Sequence, residues 1–325
     1  IQPDKLLEAI RKEFSRPRHD GTEFYRGESD KAREMYRRIS LVAPSDISVL
    51  IRGASGTGKE HIALELHEQS RRRNRPYITL DCGSLPEDLA ASELFGHRKG
   101  AFTGAESDKV GLLQEVDGGT LFLDEIGNLS YKSQMLLLRA LQEKCYRPVG
   151  STRERNFDIR LIAATNENLE EAIAGGRFRE DLFHRLNEFT IRVPFLSECP
   201  EDILPLARFL LGHLMREHHK RVQGFDRLAE AALRRYPWPG NIRELRNALH
   251  SALLLTDGDW ITATSLNLDL TLKQEEVPSL TEEEKERQLL LQTLEQAGNN
   301  RARAAKMLNI SRTTLYEKLR KYGII

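Results

Sequence analysis

The stretch that most constrains this chain is Val49-Leu50-Ile51-Arg52, followed by Gly53-Ala54-Ser55-Gly56-Thr57-Gly58-Lys59-Glu60. An apolar run breaks into a glycine-rich turn, and Ile62, Leu64 and Leu66 follow in a helical pattern. The reading is strand, loop, helix. The glycines let successive backbone N–H groups face one anion. The helix N-terminus adds its partial positive charge, and Lys59 reaches the outer phosphates of a nucleotide. A glycine-rich loop also serves as a plain turn, but the flanking strand and helix favour a phosphate site. The general pattern ends in Ser or Thr, whose hydroxyl touches Mg²⁺. Here the last position is Glu60.

The second motif is Gly118-Gly119-Thr120-Leu121-Phe122-Leu123-Asp124-Glu125, a buried strand ending in two carboxylates. Strand residues alternate sides, so the two are expected to point differently. Asp124 can hold the water shell of Mg²⁺ beside Lys59, and Glu125 can polarise a water for attack on the γ-phosphate of ATP. The bland alternative is a solvated Asp-Glu turn. Around these motifs, from about residue 23 to 194, five apolar runs alternate with helical patterns: Val49–Ile51, Tyr77–Leu80, Leu121–Leu123, Ile159–Ala164 and Phe189–Val193. Continuous apolar strands separated by helices predict an α/β fold with a parallel sheet covered on both faces. Residues 195–270 carry helical patterns and no clear strand.

At 325 residues there is room for two or three domains. No stretch approaches the roughly 18 continuous apolar residues of a membrane span, and no secretory h-region opens the chain. Cys82, Cys145 and Cys199 lie far apart without CxxC spacing. They read as idle thiols of a reducing compartment, which places the protein in the cytoplasm. His213, His218 and His219 lack Cys or paired acids at ligand spacing and read as a solvated helix face. Arg71, Arg72, Arg73 and Arg75 read as a solvated loop after a helix.

The two ends differ in character. Pro3 to Phe14 reads as an amphipathic helix and Ser15 to Thr22 as a linker. The chain opens on Ile1 rather than Met and is read as a fragment of something longer. Leu272 to Glu286 is polar and acidic, a second linker, with a capping box at Thr281 and Glu284. Residues 301–325 read as helix-turn-helix: Arg301 to Leu308, a turn at Asn309, then Ser311 capping Arg312 to Lys321. Seven Lys or Arg against Glu317 leave this segment at +6, which suits a DNA backbone. Candidate DNA contacts are Arg301, Arg312, Thr313, Thr314, Tyr316 and Lys318. A short basic hairpin with a structural role is the alternative.

Between the two nucleotide motifs stand Ser92-Glu93-Leu94-Phe95-Gly96-His97 and Gly100-Ala101-Phe102-Thr103-Gly104-Ala105. Two glycine hinges flank an aromatic and a hydroxyl, and exposed aromatics favour interfaces. With these residues the chain, from about 23 to 325, resembles the sigma-54-dependent transcription activators, bacterial enhancer-binding proteins with an AAA+ ATPase core. The resemblance implies that Gly100–Ala105 contact sigma-54 of the RNA polymerase holoenzyme. It implies a sensor role for Asn166 after Ala164-Thr165, arginine fingers at Arg179 and Arg185 acting on a neighbouring subunit, and a lid sensor at Arg243. It also implies a homo-oligomer, from dimer to hexameric ring, and a C-terminal Fis-type DNA-binding domain recognising enhancer sites. Residues 1–22 resemble the end of a response-regulator receiver domain, which would make a sensor histidine kinase a partner. The expected division is 1–22 helix and linker, 23–194 α/β ATPase subdomain, 195–270 helical lid, 271–287 linker and 288–325 helix-turn-helix. Ala54 stands where the family usually has Glu, and Asp81 where it usually has an Asn thought to hold the catalytic glutamate. A carboxylate cannot donate that hydrogen bond unless protonated. A generic AAA+ remodelling ATPase and a DNA-binding repressor with an inactive ATPase-like core are the rival readings. The loop hexapeptide together with the C-terminal segment argues against the first, and the intact loop motif argues against the second.

Overall fold

The computed structural model describes residues 24–268, 301 and 312–321. The chain divides into two compact units between Leu268 and Asp269. The expected helix at Pro3–Phe14, both linkers and, beyond Arg301, the first helix of the helix-turn-helix lie outside the described residues.

The first unit is built on a five-stranded sheet: β1 Val49–Arg52, β2 Tyr77–Asp81, β3 Thr120–Asp124, β6 Arg160–Thr165 and β7 Phe189–Arg192. Their order is β2-β3-β6-β1-β7 and every neighbouring pair is parallel. All five expected runs became strands of this one sheet. Alternation along each strand divides the core between the two faces. Leu50, Leu121, Leu123, Leu161 and Ala163 enter one hydrophobic cluster; Val49, Ile51, Phe122, Ile162 and Ala164 enter another on the opposite face. The second face is covered by α1 (Asp30–Val42) and α2 (Lys59–Glu68). Ala32, Met35, Ile39 and Val42 bury one stripe of α1, and Ser29 caps it by accepting from Ala32 N–H. The first face is covered by α3 (Glu87–Phe95), the single turn α4 (Leu112–Glu115), α5 (Tyr131–Glu143), α6 (Leu169–Ala174) and α7 (Glu180–Leu186).

The lid packs α8 (Pro200–Glu217), α9 (Arg227–Arg235), α10 (Asn241–Leu255) and α11 (Ala263–Leu266) around Trp238, which is fully buried and donates to the Leu233 carbonyl at 2.9 Å. The expectation of no strand here is corrected by β8 (Gly224–Phe225), which pairs in parallel with β9 (Trp260–Ile261). Two residues are too few to leave a period. A second small feature, the antiparallel pair β4 (Cys145–Tyr146) and β5 (Arg155–Asn156), was likewise illegible.

Two faces expected to be solvated are so in part: Arg71, Arg73, Arg75 and His219 are exposed, but Arg72, His213 and His218 are half-buried. Arg72 is only 12% exposed and bridges Asp46 and Asp158. His218 stacks on His250 at 4.6 Å between ring centres, and His213 packs against Phe209. In the second unit, α12 spans Arg312–Lys321 as expected, with Leu315 and Leu319 buried one turn apart. Among the described residues no helix is long and apolar enough to cross a membrane.

Candidate functional site

In an open parallel sheet, ligands bind beyond the carboxyl ends of the strands. Here β3, β6 and β1 are adjacent, so their ends bring Asp124-Glu125, Thr165-Asn166 and the Gly53–Glu60 loop together. Gly53 N–H still bonds the Thr165 carbonyl at 3.2 Å before the chain turns. Gly56 (φ +76°) and Gly58 (φ +91°) adopt left-handed conformations that glycine takes without strain. At Gly56 an added Cβ would also sit 2.5 Å from the Gly240 carbonyl. Lys59 opens α2 and is 6% exposed. Its ammonium donates to the carbonyls of Gly53 (3.1 Å) and Ala54 (3.4 Å) and to Glu125 Oε1 (3.1 Å). The Thr57 hydroxyl donates to the Ala54 carbonyl at 2.9 Å, and Glu60 faces solvent in the first helical turn.

Asp124 and Glu125 do diverge, but not by strand alternation. Strand β3 ends at Asp124, and Glu125 has already left it with φ +48°, ψ +50°. A left-handed non-glycine residue costs roughly 1–2 kcal/mol, so the surrounding contacts must hold it. They do: Oε1 meets Lys59 and Oε2 accepts from Asn166 N–H at 3.2 Å. Asp81 is engaged elsewhere, accepting from Gly83 N–H at 2.8 Å. Burial, then the neighbouring Glu125 charge, raises the pKa of Asp124 above that of an ordinary aspartate. A half-buried carboxylate beside a phosphate loop, with oxygens to spare, fits a hard divalent cation that keeps most of its own water.

The lid closes on the loop. Arg243 Nη1 donates to Ser55 Oγ at 2.7 Å, and its N–H bonds the Gly56 carbonyl at 3.3 Å. Asn241, fully buried with φ +53°, donates to the Ser55 carbonyl and accepts from Leu196 N–H. Sequence reasoning assigned Asn241 nothing. It missed Asp202 altogether. This buried carboxylate accepts from Glu28 N–H (2.6 Å), Ser29 N–H (3.0 Å) and Ser29 Oγ–H (2.6 Å). It thereby fixes the entry segment of the unit to α8. Burial, with the Asp202 charge beside it, pushes the Tyr25 phenol up to about 12. Between entry segment, loop and lid lies a cavity of about 140 Å³ lined by Phe24, Tyr25, His61, Ile62, Phe209 and Ile242. A local pattern offers no sign of a cavity whose walls come from three distant segments.

Arg179 and Arg185 stand at the two ends of the short helix α7. Arg179 is held within its own chain: Nε and Nη2 bond Asp181 at 3.0 and 2.6 Å, and Nη1 reaches Tyr131 Oη at 3.4 Å. Arg185 lies beside Glu188 at the edge where β1 begins, five residues before the phosphate loop. At about 3.3 Å per residue that is roughly 16 Å from its own phosphate site.

The hexapeptide Gly100–Ala105 is a tight turn closed by Gly100 N–H to the Ala105 carbonyl at 2.8 Å. Gly100 and Gly104 have φ of +78° and +98°. Thr103 is exposed, but Phe102 is not the exposed tip expected. The turn folds its ring back, edge-on to His97 at 4.9 Å, and His97 is itself fixed by Ser92 at 2.7 Å. Ala101 is half-buried and Ala105 buried. Of the proposed DNA contacts, Arg301 is exposed, Thr314 and Lys318 are half-buried, and Arg312, Thr313 and Tyr316 are placed by the backbone of α12 alone.

A parallel sheet carrying a phosphate loop, a carboxylate pair on a neighbouring strand and a helical lid docked on that loop define an AAA+ nucleotide-binding module. Comparison with known proteins narrows this. Residues 25–192 match the Sigma-54 interaction domain, 197–283 the AAA+ ATPase lid domain, and 282–322 the Fis family of bacterial regulatory proteins. The transcriptional regulatory protein ZraR of Klebsiella oxytoca is 48% identical over 301 residues, covering 90% of this chain and 68% of its own length. AlgB of Pseudomonas aeruginosa, an alginate biosynthesis regulator, is 39% identical over 326 residues, covering 98% and 71%. The crystal structure of Brucella abortus NtrX in complex with ADP is similar with a TM-score of 0.71 and 32% identity, covering 98% of this chain and 73% of that one. The chain belongs to the sigma-54-dependent transcriptional regulators with a Fis-type DNA-binding domain.

Proposed function

We propose that this protein is an ATP-driven activator that remodels the closed complex of sigma-54 RNA polymerase into an open one. The observation that carries the reading is the Lys59–Glu125 contact at 3.1 Å beside Asn166. It sets a water-activating carboxylate against the group that meets the outer phosphates. The cavity of Phe24, Tyr25, His61 and Phe209 takes the adenine. Loop N–H groups and Lys59 hold the phosphates, and Arg243 contacts them from the lid. Asp124 is the residue that would hold Mg²⁺, which would supply positive charge against the phosphates. Glu125 polarises the attacking water and Asn166 orients it. Arg185 is too far from its own phosphates to serve them, which supports a site shared between subunits of a ring, a hexamer by resemblance to the family. Arg179 and Arg185 are the fingers of that shared site. Arg301 and residues of α12 bind enhancer DNA. A sensor kinase enters if a receiver domain precedes this segment in the whole protein.

The loop distinguishes an activator from any other ATPase of this fold. Thr103→Ala leaves Lys59, Glu125 and the fingers untouched, so ATP turnover and DNA binding stay near parental values. Contact with sigma-54 in the presence of ADP and aluminium fluoride is lost, and open-promoter formation with it. Few contacts carry a small interface, and a lost hydrogen bond there is costly. Both rates are read on one preparation. Transcription at the parental level, or a parent protein indifferent to sigma-54, overturns the reading in favour of a generic remodelling ATPase.

A further inference from the structure

Helix α7 passes to β7 in two residues. Asn187 N–H closes the helix on the Phe183 carbonyl, and Glu188 precedes Phe189, the register partner of Val49. Glu188 therefore stands opposite Ser48. Ser48 N–H donates to Glu188 Oε2 at 2.8 Å, so a side-chain oxygen prolongs the β1–β7 ladder by one bond. The other oxygen, Oε1, accepts from Arg185 Nη1 at 2.9 Å. One carboxylate thus ties Arg185 to the first residues of the strand that carries the phosphate loop. The neighbouring acids Asp46 and Asp158 are engaged by Arg72 at 2.9 and 3.0 Å. The Arg185 side chain is 43% exposed, and among the described residues Nη1 is its hydrogen-bonded nitrogen. The rest of the guanidinium fork is open to an anion. Arg179, by contrast, has all three nitrogens engaged by Asp181 and Tyr131.

We propose that Glu188 is a positioning residue for Arg185. It holds the guanidinium at the β1–β7 edge so that its open face meets the phosphates bound by a second copy of the chain. This rests on the shared-site reading above. Phe189 and Thr190 follow Glu188 into a strand that pairs with β1, so the anchor moves with the sheet rather than with α7 alone.

The test is steady-state ATP turnover by the full chain at ring-forming concentration, with KM, affinity for a fluorescent ATP analogue and thermal melting measured alongside. An arginine finger contributes roughly a thousandfold or more, and Glu188→Ala loses the part of this that depends on aim, about tenfold in kcat. KM, analogue affinity and melting temperature stay at parental values. Glu188→Gln, which still accepts from Ser48 N–H but carries no charge, falls less. In Arg185→Ala, adding Glu188→Ala costs nothing further, because the two act as one unit. If Arg185→Ala is slow while Glu188→Ala keeps the parental rate, the proposal alone is overturned. It is also overturned if the losses add, or if KM and melting move together, since Glu188 is then structural. Arg185→Ala at the parental rate overturns the shared-site reading, and this proposal with it.

Discussion

The Lys59 ammonium and the Glu125 carboxylate lie 3.1 Å apart, with Lys59 6% exposed and Glu125 held in a left-handed backbone conformation. Lys59 bonds the loop carbonyls of Gly53 and Ala54, while Glu125 keeps one oxygen on Asn166 N–H. The two residues therefore fail differently. Glu125→Gln is expected to bind a fluorescent ATP analogue normally but to lose nearly all turnover, because an amide does not polarise water as a carboxylate does. Lys59→Ala weakens the binding itself. A normal hydrolysis rate in Glu125→Gln removes Glu125 from its role.

Arg179→Ala and Arg185→Ala subunits are expected to bind ATP with near-parental affinity and to hydrolyse it slowly, by a factor on the order of a thousand for a full finger. Mixed with Glu125→Gln subunits, either regains part of the activity, since an intact arginine then faces an intact glutamate across one interface. The readout is turnover as a function of mixing ratio. A flat curve at concentrations where rings are seen speaks for a site complete within one subunit.

Asp202 joins α8 to the entry segment through three short bonds, all buried or partly so. Asp202→Ala leaves two backbone N–H groups and a hydroxyl without their acceptor, at a cost of about 2–4 kcal/mol. The melting temperature drops, and ATP analogue affinity falls with it, because the segment walls the cavity. Asp202→Asn, keeping one carbonyl acceptor, loses less. An unchanged melting temperature in Asp202→Ala contradicts the anchoring role.

His67 is buried under the sheet, 2.9 Å from Thr120 Oγ1, and burial together with the Arg160 charge lowers its pKa to about 4. An unfolded histidine titrates near 6.5. Between these values the unfolded chain binds a proton that the native one refuses. The stability present above pH 6.5 is thus lost as the pH falls toward 4, by up to about 3 kcal/mol. His67→Gln, which can still bond Thr120, should flatten this part of the stability-against-pH curve. An acid limb of the same slope in both proteins places the effect on other groups.

Much of this protein is written locally. The five apolar runs became the five strands because strands buried on both faces need no polar alternation, and that continuity is visible in sequence. The loop Gly53–Glu60 needed glycine where φ is positive, and Ser29, Ser130 and Asp226 cap their helices as their side chains dictate. The second helix of the C-terminal segment was bounded correctly at Arg312–Lys321.

Tertiary structure decided the rest, wherever a group's partner lies far along the chain. Asp202 meets Ser29 across 173 positions and Arg243 meets Ser55 across 188, separations that no period or cap can encode. Phe102 looked like an exposed tip until the turn laid it on His97, and Arg72 looked solvated until Asp46 and Asp158 closed on it. Glu125 departs from strand alternation because its two oxygens find Lys59 and Asn166, and those contacts outweigh a backbone strain of roughly 1–2 kcal/mol. The sequence alone determined which elements form and which residue types could do chemistry. Which of them meet, and at which edge of the sheet Arg185 and the phosphate loop come to stand, followed only from strand order. That order is set by burying both faces of the sheet at once.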